Sequence, residues 1–461
     1  MRMRNNHINT PMTSGSIFGH LMSYAIPAIL GDLFQVTYNT VDSVIVGQYA
    51  GADALAAVGV ASPLMSVAMF FIIGIGIGAS VLLSELYGAE DLQGLRQEFS
   101  TVVISTVGIS LGIALTLFIL ANPLLKLVNT PREVFADTVA YLRIVALGMT
   151  VTGLYNILAA ASRSIGDTRT PLSCMVMGSI ANVALDICFV AGLGWGVAGA
   201  AWATVISQAG SAVLCGWLLY RNEPLFFPNW HDFRVDRALL KRTMAFSYAS
   251  ALQQAGIYVG KLMVQSMVNP LGVHAAAAFT AVNRIDDYAL IPQRDIANGE
   301  TVLIAQNHGA GKKDRMRQGL KVALAMEIVY GVIVSLCVFA FAEPMMHLFV
   351  PSTETEVIRL GARYLKIMGF FYFMPGITNG LQGYMRAIGK MRLTMYVTYS
   401  QMITRALFTF LLIGKMHLDA VPVACACGWL LMMVWEIGLI LYWNRKEKKD
   451  AQTESKTVSA F

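Results

Sequence analysis

The chain has 461 residues, of which 56% belong to the AVILMFWYC set and only 13% are charged, with a mean hydropathy of +0.57. A soluble chain of this length would divide into about three domains with about 25% charged residues, so neither a soluble multidomain protein nor a disordered one fits. Lys and Arg outnumber Asp and Glu by 34 to 28, a formal net charge of +6, and the placement of that charge points to membrane topology rather than nucleic acid.

Apolar runs bounded by polar or Gly/Pro clusters place twelve spans near 17–48, 53–82, 98–120, 134–161, 170–192, 196–220, 243–268, 274–306, 318–341, 354–386, 392–413 and 419–443. Arg2 and Arg4 precede no short apolar run with a small-residue cleavage site, so the first span is expected to be retained. In span 1, Pro27 removes a backbone donor and is a candidate hinge. Asp32, Gln35, Asn39 and Asp42 follow it and fall within about 80° of one another on a helix, a polar stripe on one face. Gly74-Ile75-Gly76-Ile77-Gly78 in span 2 shares glycine spacing with a dinucleotide loop, but no strand precedes it and it reads as close helix packing. Span 5 carries Asn182 and Asp186 one turn apart.

The sixth loop, 221–242, is expected to be a linker, with Asp236 to Thr243 a short amphipathic interfacial helix. Span 7 offers Gln253, Gln254 and Lys261, and span 8 carries Asn283, Arg284, Asp286, Asp287, Arg294, Asp295 and Glu300. So many charges cannot face lipid. Span 8 either lines a water-filled cavity, pairs its charges internally, or begins at the outer interface, with Lys261 and Arg405 as counter-charges. Gly309-Ala310-Gly311-Lys312 lacks the earlier Gly and the Ser/Thr of a P-loop, which argues against ATP binding there. The six cysteines lie in apolar runs without metal spacing, and the histidines show none either, so no metal is expected.

Basic residues close to span ends mark the cytoplasmic side. Of the odd-numbered loops only two carry any, as Lys126, Arg132 and Lys415, whereas the tails and even loops hold 23, including Arg234, Arg237, Lys241 and Arg242. Both termini are therefore expected in the cytoplasm, with the positive balance topogenic or facing lipid rather than nucleic acid. A shift of 221 residues aligns 51–97 with 272–318 without a gap, through Gly51/Gly272, Gly78/Gly299, Gly88/Gly309 and Arg96/Arg317. A shift of 223 then aligns Tyr141/Tyr364 and Arg163-Ser164-Ile165-Gly166 with Arg386-Ala387-Ile388-Gly389. The expected fold is all-α and integral to the membrane, with twelve transmembrane helices in two parallel six-helix repeats related by a pseudo-two-fold along the membrane normal. The expected organisation is a first lobe over 1–220, the linker 221–242, a second lobe over 243–443 and a basic cytoplasmic tail over 444–461.

An acid at mid-bilayer costs about 2.5 to 3.5 kcal/mol on insertion scales, which makes each one a functional candidate. Asp42, Asn182 and Asp186 read either as a structural network joining spans 1 and 5 or as a cation-binding chamber whose carboxyls titrate as a pair. Across the repeat Asp42 maps to Met263, Asn182 to Arg405 and Asp186 to Thr409, so the second half lacks this set.

These segments together resemble the multidrug and toxic compound extrusion (MATE) family, and within it the DinF-type prokaryotic branch. The carriers are Tyr38-Asn39-Thr40-Val41-Asp42, Gly51-Ala52-Asp53-Ala54-Leu55-Ala56-Ala57-Val58, Arg163 through Pro171, Asn182-Val183-Ala184-Leu185-Asp186, Gly196 through Ala201 and Gln306 through Gly311. The resemblance implies a two-lobe antiporter exporting organic, often cationic, compounds against an inward H+ or Na+ gradient, with Asp42, Asn182 and Asp186 in cation coupling. Span 7 and the middle of span 10 carry no acid, which departs from other branches, and Tyr248 stands where a proline is usual.

The expected activity is secondary active antiport by alternating access, by a monomer, with Asp32, Gln35 and Asn39 in support. Cavity or substrate candidates are Gln253, Gln254, Lys261, Arg284, Asp286, Asp287, Arg294, Asp295, Glu300 and Arg405. No cofactor is expected beyond the coupling H+ or Na+. One alternative is a flippase for lipid-linked oligosaccharide or another amphipathic lipid. An intramembrane enzyme would need an HExxH motif or a paired His/Asp set at a common depth, and the chain shows neither.

Overall fold

In hydrocarbon a peptide group has no water to bond, so a chain this apolar must close its backbone hydrogen bonds within each segment. The computed structural model, which describes residues 11–227 and 233–458, contains helices and no strand among those residues. The first six helices are α1 (Ile17–Ile45), α2 (Ala52–Gly88), α3 (Leu92–Leu127), α4 (Arg132–Ser164), α5 (Arg169–Asp186) and α6 (Gly196–Asn222). They are followed by α7 (Arg237–Val268), α8 (Val273–Gly309), α9 (Lys313–His347), α10 (Thr355–Gly369), α11 (Phe373–Ala387), α12 (Met391–Met416) and α13 (Ala420–Val458). By length and apolarity alone, eight helical stretches among the described residues qualify as membrane spans, the last of them running through both α12 and α13. The helices that fall short are α7, α8 and the α10–α11 pair. Those segments carry polar side chains that a lipid-facing helix excludes. Ile119, Val213, Leu336 and Phe410 are 66–74% exposed in the isolated chain, an apolar exterior suited to acyl chains.

The chain forms two compact units. One comprises the residues up to Ala255 with Asn298–Gly319 and Ala387–Arg392. In it α4 packs on α2, α3 and α6, while α5 packs on α6 and α1 on α5. The glycine run of α2 lies against α7: a Cβ on Gly74 would meet the Ala251 nitrogen at 2.8 Å, and one on Gly78 the Ser247 hydroxyl at 2.8 Å. Gly88 and Gly309, paired by the repeat, pack against each other's helices, Gly88 on the Gln306 carbonyl and Gly309 on the Glu85 carbonyl, closer than any side chain allows. The segment just before α1 is tied into the same corner. Met12 N donates to Gln306 Oε1 at 2.8 Å, and Arg315 donates to the Met12 and Ser14 carbonyls at 3.0 and 2.7 Å. The Gln306–Lys312 stretch thus holds the chain's own backbone.

The second unit comprises Gly256–Ala297, Leu320–Arg386 and the chain from Leu393 onward. Its core gathers Val264 from α7, Phe279 and Val282 from α8, Val338 and Met346 from α9, Tyr364 and Leu365 from α10, and Val421 and Cys425 from α13.

Two expectations change. The tenth span, read as continuous over 354–386, is broken into α10 and α11 at Phe370–Tyr372. Pro375 has no N–H for the Phe371 carbonyl, so the hydrogen-bond ladder of α10 cannot run through into α11. The freed Tyr372 carbonyl accepts from Gln293 Nε2 at 2.8 Å. The segment Asp236 to Thr243 is not a separate interfacial helix. Asp236 Oδ1 accepts from the backbone N–H of Ala238 and Leu239 at 2.8 and 3.0 Å, capping α7, and residues 237–243 are its first turns.

Candidate functional site

Asp42 and Tyr38 stand one turn apart on α1, as do Asn182 and Asp186 on α5, and the two helices pack together within the first unit. Asn182 and Asp186 are fully buried. The Tyr38 hydroxyl donates to Asn182 Oδ1. The Asp42 and Asp186 carboxyls come within hydrogen-bonding reach of each other, and Tyr141 from α4 lies in the field of both. Two carboxylates are acceptors only, so this contact requires a proton or a cation between them. Among the described residues no protein donor satisfies Asp42 Oδ1 or either oxygen of Asp186, and the Asn182 amide nitrogen is left without an acceptor. No Lys, Arg or His contributes to the field at either acid. The site is a pair of carboxyls, Asp186 fully buried and Asp42 half-buried, with spare oxygens, an arrangement that can accept a small cation.

Local backbone geometry frames both acids. α5 ends at Asp186 and passes directly into a π-helical turn over Ile187–Gly192, and α1 passes into another over Val46–Ala50 just after Asp42. Such turns interrupt the regular i→i−4 ladder and cluster at functional positions. Nothing in the hydrophobic spacing signals them.

The remaining stripe residues do not join the pair. Gln35 Nε2 donates to Asn39 Oδ1 at 3.0 Å along α1, Asn39 is exposed, and half-buried Asp32 lies in the field of Tyr155 instead. Pro27 is buried within an α1 that continues through it. One turn before it, the Tyr24 carbonyl accepts from the Thr168 hydroxyl at 2.9 Å, so the proline region is tied to the start of α5.

The other candidates divide between the units. Gln253, Gln254 and Glu300 belong to the first, whereas Lys261, Arg284, Asp286, Asp287, Arg294, Asp295 and Arg405 belong to the second. Gln253 and Glu300 are buried and Gln254 is half-buried. In the second unit Tyr372, at the helix break, donates its hydroxyl to Asp286, and Arg405 lies in the field of Asp286, Tyr364 and Cys425. Lys261 bridges Asp287 at 3.0 Å, with both side chains about half exposed. Arg284 faces a different place, a cavity of about 630 Å³ shared with His274 and Glu354. Asp295 is buried and Arg294 exposed. The span 8 charges are thus partly paired and do not form one cluster.

Several buried polar groups escaped the reading of the sequence. Tyr372 carries no charge and lay inside an apparently continuous span. Glu98 on α3 is fully buried and accepts from the Thr243 hydroxyl at 2.5 Å. Glu327 on α9 and Glu436 on α13 are fully buried single acids in apolar helices. For Glu327 and Glu436 the signal was available, since each is a carboxyl among apolar neighbours in the sequence.

A family profile named MatE matches twice, over residues 27–188 and 249–411, in line with the duplication. The probable multidrug resistance protein YpnP of Bacillus subtilis is 28% identical over 382 residues, covering 82% of this chain and 84% of that protein. The probable multidrug resistance protein NorM of Thermotoga maritima is 23% identical over 393 residues, 82% of each. A crystal structure of MATE in the bent conformation superposes with a TM-score of 0.88 at 20% identity, covering 96% of this chain and 99% of that one. Twelve spans in two matched halves and a profile that recognises both lead to one conclusion: the chain belongs to the MATE family of multi-pass membrane transporters, and is not an enzyme.

Proposed function

We propose that the protein is a secondary active antiporter that exports organic, often cationic, compounds in exchange for H+ or Na+ by alternating access. The observation that carries this reading is the Asp42–Asp186 contact, a half-buried and a fully buried carboxyl facing each other without a basic partner among the described residues. A small cation entering from outside occupies the pair, and cargo and cation weaken each other's binding reciprocally, which converts an ion gradient into export. Asn182 and Tyr38 hold the geometry, and Pro27 acts as the hinge of α1, close enough to α5 through Tyr24 and Thr168 to sense the state of the pair. Exchange of one proton for one monovalent cation is electroneutral and responds to the pH gradient alone. A neutral cargo would add about 2.3 kcal/mol per charge per 100 mV.

Support for drug-like cargo comes from relatives named multidrug resistance and multidrug export proteins, among them MepA of Staphylococcus haemolyticus at 24% identity over 380 residues. The same names favour export over lipid flipping. In this reading the chain works as a monomer in the bacterial plasma membrane with both termini in the cytoplasm, as the basic residues of the tails and even loops suggest. The test is reconstitution in vesicles with pH and Na+ gradients imposed in turn while a fluorescent organic cation is followed. Uptake driven by one gradient alone identifies the coupling ion. Uptake indifferent to both removes the antiport reading.

A further inference from the structure

We propose that the cleft between the end of α9 and α10, inside the second unit, binds one zwitterionic membrane phospholipid with a primary-amine headgroup, its phosphate on Lys366 and its ammonium on Glu343. The cleft has a volume of about 580 Å³, and Phe339, Glu343, Lys366 and Phe370 are among the residues that line it. The two rings meet edge to face with centroids 5.5 Å apart and, at 50% and 64% exposure, form an apolar wall suited to acyl chains. Beside that wall stand an exposed ammonium and an exposed carboxylate. Among the described residues neither Lys366 nor Glu343 makes a hydrogen bond or an ion pair, with each other or with any other group.

The two charges nevertheless stand at one level. Gly361 of α10 packs on Met346 of α9, and Phe370 packs on Phe339, so the helices run antiparallel and Lys366 and Glu343 fall midway between those two contacts. Lys366 lies eleven residues, about 16 Å along the axis, from the start of α10, inside a span, where an ammonium without a counter-charge is costly. The other basic groups of the cleft are engaged. Arg359 is held by Glu356 at 2.8 Å, Arg363 by Asp419 at 2.6 Å, and His347 Nδ1 lies 3.3 Å from the Ser352 hydroxyl. One cation and one anion are left for a ligand.

The repeat shows the same place closed by the protein itself. The shift of 221 aligns Pro123 with Pro344, and with them Phe118 with Phe339 and Asn122 with Glu343, while the shift of 223 aligns Arg143 with Lys366. In the first unit Arg143 donates Nε to the Phe118 carbonyl at 3.3 Å, and its guanidinium lies 5.2 Å from the centre of the Phe118 ring. In the second unit the corresponding ring packs on Phe370, an ammonium replaces the guanidinium, and an acid replaces the amide. The cation has lost its protein partners and an opposite charge has been placed at its level. A phosphate diester accepts from Lys366, and a primary ammonium donates to Glu343, which a quaternary ammonium cannot do. The short ethylene bridge of an ethanolamine headgroup joins the two, and its acyl chains lie along the rings. The site does not depend on the antiport reading.

The test is native mass spectrometry of the purified full chain with phosphatidylethanolamine, phosphatidylglycerol and phosphatidylcholine titrated in turn. Wild type should hold one phosphatidylethanolamine in preference to either other lipid. Lys366→Gln and Glu343→Gln should each weaken that binding by about tenfold. Glu343→Gln should not weaken phosphatidylglycerol binding, and Lys366→Arg should keep the wild-type preference. Equal phosphatidylethanolamine binding by wild type and both Gln variants overturns the site. Displacement of the lipid by an equal concentration of glycerophosphoethanolamine, which has the headgroup without chains, overturns a membrane lipid as occupant. An equal fall in melting temperature of both Gln variants in lipid-free detergent, with the lipid preference intact, also overturns it, because the two residues would then form an ion pair.

Discussion

The two halves of the chain place different chemistry at matching points of the repeat. In the first, Tyr141 and Asn182 accompany Asp42 and Asp186, and no cation answers the two acids. In the second, Tyr364 stands for Tyr141 and Arg405 for Asn182, Thr409 replaces Asp186, and Asp286 comes in from α8, accepting from the Tyr372 hydroxyl and lying in the field of Arg405. The first arrangement is incomplete without a ligand. The second neutralises itself. A duplicated scaffold has kept the aromatic neighbour and exchanged the charges, which under the proposed function puts ion exchange in one half and internal charge compensation in the other.

Breaking the first arrangement has the largest expected effect. Asp42→Asn removes one of two facing carboxyls, so gradient-driven export of a fluorescent cation in vesicles should fall to background while the protein still inserts and melts cooperatively. Breaking the second should cost stability before activity. Arg405→Met leaves Asp286 without its cation and should destabilise by about 3–5 kcal/mol in thermal or denaturant unfolding, whereas the double variant with Asp286→Asn should recover most of that loss. Tyr372→Phe removes only a hydrogen bond to a charged acceptor and should cost about 1.5–3 kcal/mol by the same measurement. The smallest effect belongs to the half-exposed Lys261–Asp287 bridge. Asp287→Asn should change stability by no more than about 1 kcal/mol, less in high salt.

Much of this was legible in the sequence because lipid imposes simple rules. The twelve spans, the duplication and the grouping of Asp42 with Asn182 and Asp186 follow from apolar run length, gap-free self-alignment and helical spacing. The stripe Asp32–Gln35–Asn39–Asp42 was legible as a helix face but not in its partners. Helical spacing says which residues share a face and cannot say which of them meets a neighbour, so the contact of Asp42 with Asp186 was not legible. The break at Phe370–Tyr372 was hidden because its residues are as apolar as the helices on either side, and Pro375 alone gives it away. Glu327 and Glu436 were passed over because each is a single acid in its apolar run, and spacing alone does not say that both are fully buried. The π-helical turns after Asp42 and Asp186 leave no mark in hydropathy.

The central claim is that the Asp42–Asp186 pair exchanges its cation for cargo. It is tested most directly by adding a saturating organic cation to purified protein in weakly buffered solution, with and without Na+, and measuring released protons and Na+ for wild type and Asp42→Asn. The account predicts that wild type releases a proton or Na+ as cargo binds and that Asp42→Asn binds cargo without releasing either. Equal release from both proteins would contradict it.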